Sequence, residues 1–528
     1  MDEFHQSTER PEPQVDWQVF STSLILIVVI SVGLIVSPDK GAQMAASAMG
    51  FVTSHFGWLY LILGVGALGF SLWLAFGPYG SVVLGVPGEA PEYSELHWVA
   101  MMFTAGIGGS LIAWGVAEPI FYVQTPPFGI EANSSMALEW AHMYPLFHWG
   151  LTPWAFYAIP AVPIAYMLFV HNAVTMKISD ACDAAMPLAA RGATSKIIDV
   201  VIVLGIVGGT ATSLGLGVPL VSALISELLG IPDVFITKVV VLAFWLALFG
   251  ASAYRGLKKG IKVLADINMA LVFITLTFIM VAGPTIFILS ISVNSVGLLA
   301  DNFVRMSTWM DPIAKGGFPE AWTVFYWAWW IAFAPFVALF VGRISRGRTI
   351  RRLVLGVMGW GSLGTTVFLL IMGGYAIFLE SSGQVPLSTL LAEQGMSVVT
   401  AKAIAHLPFG KVALSVFTVL SIIFYATSFD SSSYTVASIC SRGLHNDQEP
   451  PKFSRLVWAL ALALLAMGLM VSGDYQTVQA ATIVLSVPLI PVILMMCYTL
   501  MTWLRRDFGA GHDGSPTPLK MISHGKDD

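Results

Sequence analysis

Two stretches concentrate aromatic side chains. One is His148-Trp149-Gly150-Leu151-Thr152-Pro153-Trp154-Ala155-Phe156-Tyr157, and the other runs from Trp322 to Phe333 as WTVFYWAWWIAF. At about 100° per residue, Trp322, Tyr326, Trp329, Trp330 and Phe333 share one helical face, and Trp149 and Tyr157 nearly eclipse, with Trp154 at the edge of their sector. Two aromatic walls without a nearby carboxylate suit a cation that has no N–H to donate. Quaternary ammonium is held over such faces by cation–π attraction, worth about 2 kcal/mol or more when desolvated. A lysine-like ammonium would demand acceptors instead. The competing reading is an ordinary packed aromatic core. Trp17, Trp58 and Trp503, and in part Trp322, are also explained by the interfacial tryptophan belt of a membrane protein.

A second chemistry is offered by oxygen atoms. Glycines in Thr104-Ala105-Gly106-Ile107-Gly108-Gly109-Ser110 weaken a helix and leave backbone carbonyls available to a ligand or ion. Close helix packing through small residues competes with that reading, and Trp114, Glu118 and Pro119 downstream favour an unwound site. In Phe424-Tyr425-Ala426-Thr427-Ser428-Phe429-Asp430-Ser431-Ser432-Ser433, the adjacent hydroxyls of Thr427 and Ser428 offer hard ligands for Na⁺. Hydrogen bonding between helices is the alternative. Gly209-Thr210-Ala211-Thr212-Ser213-Leu214-Gly215-Leu216-Gly217 reads both ways too. Glu118 is either a buried structural partner or a coupling group.

The elements that must position these groups are set by composition. Of 528 residues, 56% are hydrophobic and 11% charged, against roughly 25% charged in a soluble domain. A cytosolic enzyme, a nucleic-acid binder and a disordered chain are excluded. Cys182, Cys440 and Cys497 form no C-x-x-C pair, so neither a disulfide framework nor a zinc site is indicated. A bilayer core needs about 20 apolar residues per helix. Twelve such runs lie near 18–37, 57–77, 98–123, 141–170, 198–227, 236–254, 264–292, 321–342, 353–379, 411–438, 454–472 and 477–503. With the N-terminus cytoplasmic, 20 of the 26 Lys and Arg residues fall on the inner side, including Arg255, Lys258, Lys259 and Lys262 and the cluster Arg343, Arg346, Arg348, Arg351 and Arg352. That is the positive-inside tendency, and it puts both termini in the cytoplasm. Residues 1–17 are then a short tail, 18–503 a multi-pass membrane domain, 294–320 an amphipathic segment along the outer face, and 504–528 a short disordered tail. Asp266 pairs with the basic loop at 255–262.

These residues together resemble the betaine/choline/carnitine transporter family. The matching stretches are MMFTAGIGGSLIAWGVAEP (Met101–Pro119), FHWGLTPWAFY (Phe147–Tyr157), WTVFYWAWWIAFAPFVALFVGRISRGR (Trp322–Arg348) and TSFDS (Thr427–Ser431). The resemblance implies an all-α membrane protein of twelve transmembrane helices. Two LeuT-like inverted five-helix repeats (spans three to seven and eight to twelve) would follow two extra helices. It also implies alternating access and, as in well-studied relatives, a homotrimer. Carried over by position, the family's aromatic box falls on Trp149, Trp154, Tyr157 and Trp330, with Trp329 adjacent. Phe333 stands on the path towards the cytoplasm, where relatives often have tryptophan. One family ion site uses carbonyls at Thr104 and Ile107 with Thr427 and Ser428, and another a threonine placed here at Thr210. Asn268 stands where sodium-independent carnitine exchangers carry an arginine, which favours Na⁺-coupled symport.

Two departures bear on the solute. Betaine carriers tend to have Gly and choline carriers Asp where Ser110 sits, and Ala113 replaces an aromatic. An uncharged Ser110 argues against choline as the preferred ligand. The expectation is a Na⁺-coupled importer of a zwitterionic quaternary-ammonium or sulfonium solute in a bacterial inner membrane: glycine betaine, a carnitine-like betaine or dimethylsulfoniopropionate. No cofactor beyond the coupling ion and no enzymatic activity are expected, since no Ser/His or metal-ligand pair stands at workable spacing. The alternatives are an ion-independent antiporter of the carnitine/butyrobetaine kind, a choline importer, and a membrane sensor that binds the solute without moving it. The tail after Arg505 lacks a long basic extension, so little osmotic activation is expected.

Overall fold

A computed structural model describes residues 12–508 except 108, 174, 176, 256–257, 445–447 and 473–474; the side chains at 103–107, 249–255 and 258–265 are also outside the description. The described chain is almost wholly helical. In order come α1 (Trp17–Val36), α2 (Pro38–Phe76), α3 (Glu95–Ile107), α4 (Ser110–Gln124), α5 (Ser135–His148), α6 (Leu151–Phe169), α7 (Arg191–Leu229), α8 (Phe235–Arg255) and α9 (Lys258–Ala282). Then follow α10 (Thr285–Thr308), α11 (Phe325–Arg343), α12 (Ile350–Ser381), α13 (Leu387–Gln394), α14 (Met396–Ala405), α15 (Gly410–Ile439), α16 (Lys452–Val471), α17 (Tyr475–Ser486) and α18 (Leu489–Asp507). Among the described residues, ten helical stretches are long and apolar enough to cross a membrane, and Phe235–Leu248, Asp266–Ala282 and Met396–Ala405 are shorter apolar helices. This is a multi-pass membrane architecture.

Several spans expected to be continuous are broken, each for a local reason. The run over 141–170 divides into α5 and α6 at Trp149 and Gly150, where Gly150 has φ −92° and ψ −143°, outside the helical region. The run over 264–292 ends at Ala282, because the ring of Pro284 has no N–H to continue the ladder and clashes with the preceding turn; a separate helix, α10, starts at Thr285. The amphipathic segment expected over 294–320 is therefore the second half of α10 plus the connection to α11. A π-helical turn, Pro319–Val324, feeds α11. The run over 477–503 divides at Pro488 into α17 and α18.

One end of the bundle carries the arginine-rich loops. There the α2–α3 connection clasps the α11–α12 loop: Gly347 N–H donates to Leu84 O at 2.8 Å and Leu84 N–H to Arg348 O at 2.8 Å. Arg348 and Arg352 both reach Glu95 at the start of α3, at 2.7 and 2.9 Å, and Arg346 reaches Glu89 at 2.7 Å. At the same end a two-residue ribbon pairs β1 (Gln14–Val15) antiparallel with β2 (Ser441–Arg442). Beside it the Asp16 carboxylate meets Arg442 at 2.8 Å and Lys177 at 3.0 Å, and Lys177 also reaches Asp199 at 3.0 Å. At the other described end of the chain, Asp507 accepts from Tyr166 at 2.8 Å and pairs with His171 at 2.7 Å. Both described chain ends thus lie by the loop between α6 and α7.

Candidate functional site

Inside the bundle, α11 lies along α6, and α4, α7 and α15 close the space beside them. The result is a cavity lined by Gly109 and Ser110 from the start of α4, Trp149 and Tyr157 from the α5–α6 region, Thr210, Ser213 and Leu214 from α7, Trp329, Trp330, Phe333 and Phe336 from α11, and Tyr425, Ser428 and Phe429 from α15. Two walls are aromatic and the remaining face carries small hydroxyl side chains.

Ring geometry centres on Trp330. Its centroid is 4.6 Å from Tyr157, 5.6 Å from Trp149 and 5.5 Å from Trp154, at interplanar angles of 47°, 74° and 60°. Trp149 also meets Trp329 edge-on at 6.0 Å. Such steep angles are the edge-to-face arrangement aromatic rings prefer. Of the residues expected at the solute site, Trp149, Tyr157, Trp329, Trp330, Phe333 and Ser110 line the cavity. Trp154 stands one layer back, fully buried against Trp330 and Tyr157. Ala113 is buried in α4 but is not among the lining residues.

Glycines make room for these rings. A Cβ at Gly361 of α12 would stand 2.3 Å from the Trp154 indole, and one at Gly209 would stand 2.9 Å from the Phe333 ring. Tyr425 lies against both Gly109, at the junction before α4, and Gly217 of α7, where a Cβ would approach its ring to 2.5 and 2.3 Å. The glycine-rich stretches in spans three and five thus serve close approach of aromatic rings as well as of backbone.

The helical-wheel argument fails for Trp149, which is not in the same helix as Tyr157. It is the C-cap of α5, with φ −118° and ψ 7°. Trp322 also departs from expectation: it lies in the π-turn, 3% exposed, with its ring 4.8 Å from Tyr122, 5.3 Å from Phe121 and 5.8 Å from Trp114. A buried position among rings is not a membrane-interface position.

Nor are the walls without a nearby carboxylate. Glu118, fully buried in α4, accepts hydrogen bonds from Trp149 Nε1 at 2.9 Å, Tyr326 Oη at 2.6 Å and Tyr122 Oη at 2.7 Å. His148 Nδ1 lies 3.4 Å away, and its Nε2 is 3.1 Å from Thr323 Oγ1. Glu118 itself does not line the cavity. It sits behind the Trp149 wall, at the indole edge. The signal that could have found it was the number of indole and phenol donors in apolar spans set against so few acceptors.

The hydroxyl face is also placed. Ser110 and Ser213 hydroxyls are 2.8 Å apart, and Thr210 Oγ1 donates to Ser432 at 3.0 Å. Thr427 and Ser428 both donate to the Phe424 carbonyl, at 2.9 and 3.0 Å. Side chains at Thr104 and Ile107 lie outside the described residues, as does Gly108, where the third span was expected to unwind; α3 is described to Ile107 and α4 from Ser110. Asn268 is fully buried in α9, with neither amide atom hydrogen-bonded among the described residues. Asp430 lies 3.7 Å from Arg455, both nearly buried.

A multi-pass helical bundle with an aromatic-walled cavity at its centre defines a class: a membrane protein built to admit a small cationic or zwitterionic solute. Comparison with known proteins makes this specific. The profile described as "BCCT, betaine/carnitine/choline family transporter" matches residues 18–509. The chain is 34% identical to a carnitine transporter of Acinetobacter baumannii over 488 residues, covering 92% of this chain and 88% of that one. It is 36% identical to the glycine betaine transporter OpuD of Bacillus subtilis over 476 residues, covering 90% of this chain and 91% of that one. The chain belongs to the betaine/carnitine/choline transporter family, a family of transporters and not of enzymes.

Proposed function

We propose that this protein is a Na⁺-coupled symporter that imports a zwitterionic quaternary-ammonium or sulfonium solute by alternating access. The observation that carries this reading is one cavity in which the ring faces of Trp149, Tyr157 and Trp330 oppose the start of α4 at Gly109 and Ser110. The rings suit a methylated onium head. The first N–H groups of a helix have no intrahelical partner and carry its positive dipole end, which suits a carboxylate. Glycine betaine, carnitine-like betaines and dimethylsulfoniopropionate have both ends; choline has no carboxylate.

Ion coupling is supported by the paired oxygens of Thr427 and Ser428 and by Thr210 on the cavity wall. Asn268 supplies no fixed positive charge that would substitute for the ion. A membrane potential of 100 mV adds roughly 2.3 kcal/mol per charge moved inward. In this reading the chain spans a bacterial inner membrane twelve times in LeuT-like inverted repeats, with both termini and the arginine-rich end in the cytoplasm, and it assembles as a homotrimer.

The test is radiolabelled uptake of choline, glycine betaine, carnitine and dimethylsulfoniopropionate into proteoliposomes, each with an inward gradient of Na⁺ or of K⁺. Uptake of the zwitterions that is driven by Na⁺ and absent with K⁺ is expected. Counterflow that proceeds without Na⁺ would make the protein an antiporter instead.

A further inference from the structure

Trp149 is an exposed weakness in the design of the box. It is the C-cap of α5, followed at once by Gly150, so it stands outside both helices and its orientation rests on side-chain contacts. Two bonds hold it. Its carbonyl accepts from Thr365 Oγ1 of α12 at 2.6 Å, and its indole N–H donates to Glu118 Oε2 at 2.9 Å. The bond to Glu118 is the one that acts on the ring directly.

We propose that Glu118 is a positioning residue for the cation-binding wall, aiming the Trp149 indole and, by drawing on its N–H, enriching the π-face turned to the onium head. This rests on the aromatic-box reading above. The groups around the carboxylate are arranged for that task. Tyr326 bonds the same oxygen as Trp149, at 2.6 Å, while Tyr122 takes the other at 2.7 Å. Tyr122 also meets His148 Nδ1 at 2.8 Å. His148 and Trp149 are neighbours at the helix break, so one carboxylate grips both residues there. Three of the four contacts are neutral donors. No Lys or Arg contacts Glu118 among the described residues, so its negative charge is shared out through hydrogen bonds instead of being cancelled. Hydrogen-bonded groups polarise one another in a low-dielectric interior, and an indole that donates to an anion carries more electron density on its ring. A buried ion pair would have fixed the ring but damped that field. The onium head therefore meets a wall biased towards negative potential, although no carboxylate enters the cavity to compete for it.

A double-mutant cycle in proteoliposomes, with transport of a radiolabelled betaine as readout, tests this. Glu118→Gln is expected to raise KM about tenfold with little change in kcat, the scale of one charge-assisted hydrogen bond. Trp149→Phe, which keeps a π-face and loses the N–H, is expected to raise KM to a similar extent. The double variant should be no worse than the poorer single one, because one weakens and the other removes the same bond. Multiplied effects in the double variant would overturn the proposal, as would a fall in kcat without a change in KM for Glu118→Gln. If Glu118→Gln does not reach the membrane folded, Trp149→Phe decides alone, and an unchanged KM there refutes the inference. An insensitive Trp330→Leu variant would instead bring down the aromatic-box reading itself, so the two failures are distinguishable.

Discussion

Trp330 packs against Trp149, Trp154 and Tyr157 at the cavity, and its removal should be felt by the solute before it is felt by the fold. Losing a desolvated cation–π contact of about 2 kcal/mol corresponds to a roughly 30-fold rise in KM. Trp330→Leu is expected to show that rise at near-normal expression, measured by concentration-dependent uptake. The hydroxyl side of the site makes a separate prediction. Thr427→Ala combined with Ser428→Ala removes two oxygens but no ring, so the Na⁺ concentration for half-maximal uptake should rise severalfold while solute KM at saturating Na⁺ changes little. Titrating uptake against Na⁺ separates the two. Most of these residues were legible in the sequence because the bilayer makes them conspicuous: tryptophans two turns into a span, or adjacent hydroxyls there, carry a solvation cost that calls for a reason. The Glu118 network was not legible, because beyond Tyr122, one turn away on α4, its partners His148, Trp149 and Tyr326 come from other helices and only the fold brings them together.

At the scale of elements, the rings are held by what their neighbours lack. Gly361 of α12 leaves the space into which Trp154 fits, whereas Gly359, two residues earlier on the same helix, has nothing within 4 Å of a built Cβ. Gly361→Ala should therefore push Trp154 against Trp330, at the roughly 1–3 kcal/mol typical of overpacking. A lower thermal midpoint together with weaker uptake is expected, whereas Gly359→Ala should match the parent in both thermal-shift and uptake assays. Helix boundaries explain the shortfall of the sequence reading here. Hydropathy sees the long apolar run over 141–170 but not the non-helical ψ at Gly150, so it assigns Trp149 the wrong periodicity while placing it in the right cavity. Pro284 was visible in the sequence; a proline inside an apolar stretch can kink a helix or end it, and only the packing of α10 shows which.

For the whole molecule, the arginine-rich end is tied together by charges from distant parts of the chain. Burial would raise the Asp16 carboxyl, but hydrogen bonds from Arg442 and Lys177 win and hold it at about 2, below its ordinary value of 3.8. A carboxyl with a depressed value in the folded state stabilises above its unfolded value and loses that contribution as pH falls through the folded one. Asp16 should thus stabilise the protein fully above about pH 4 and lose that contribution between there and about pH 2. Asp16→Asn is expected to lower the thermal midpoint at neutral pH and to flatten the acid limb of the stability profile over that interval, as measured in detergent by thermal shift. Charge asymmetry between the two ends of the spans was readable from loop composition alone. The partners of each charge were not, since Asp16 and Arg442 are joined only by the β1–β2 ribbon.

Tyr425 is wedged between two helices. Its ring occupies space left by two glycines on different helices, Gly109 before α4 and Gly217 in α7. A ring so confined cannot turn over until those backbones draw apart, and any tilt between them pinches or frees it. In the alternating-access reading proposed above, its flipping rate would report the parting of α4 from α7. A fluorinated tyrosine at that one place would make each cycle of the carrier audible to ¹⁹F NMR.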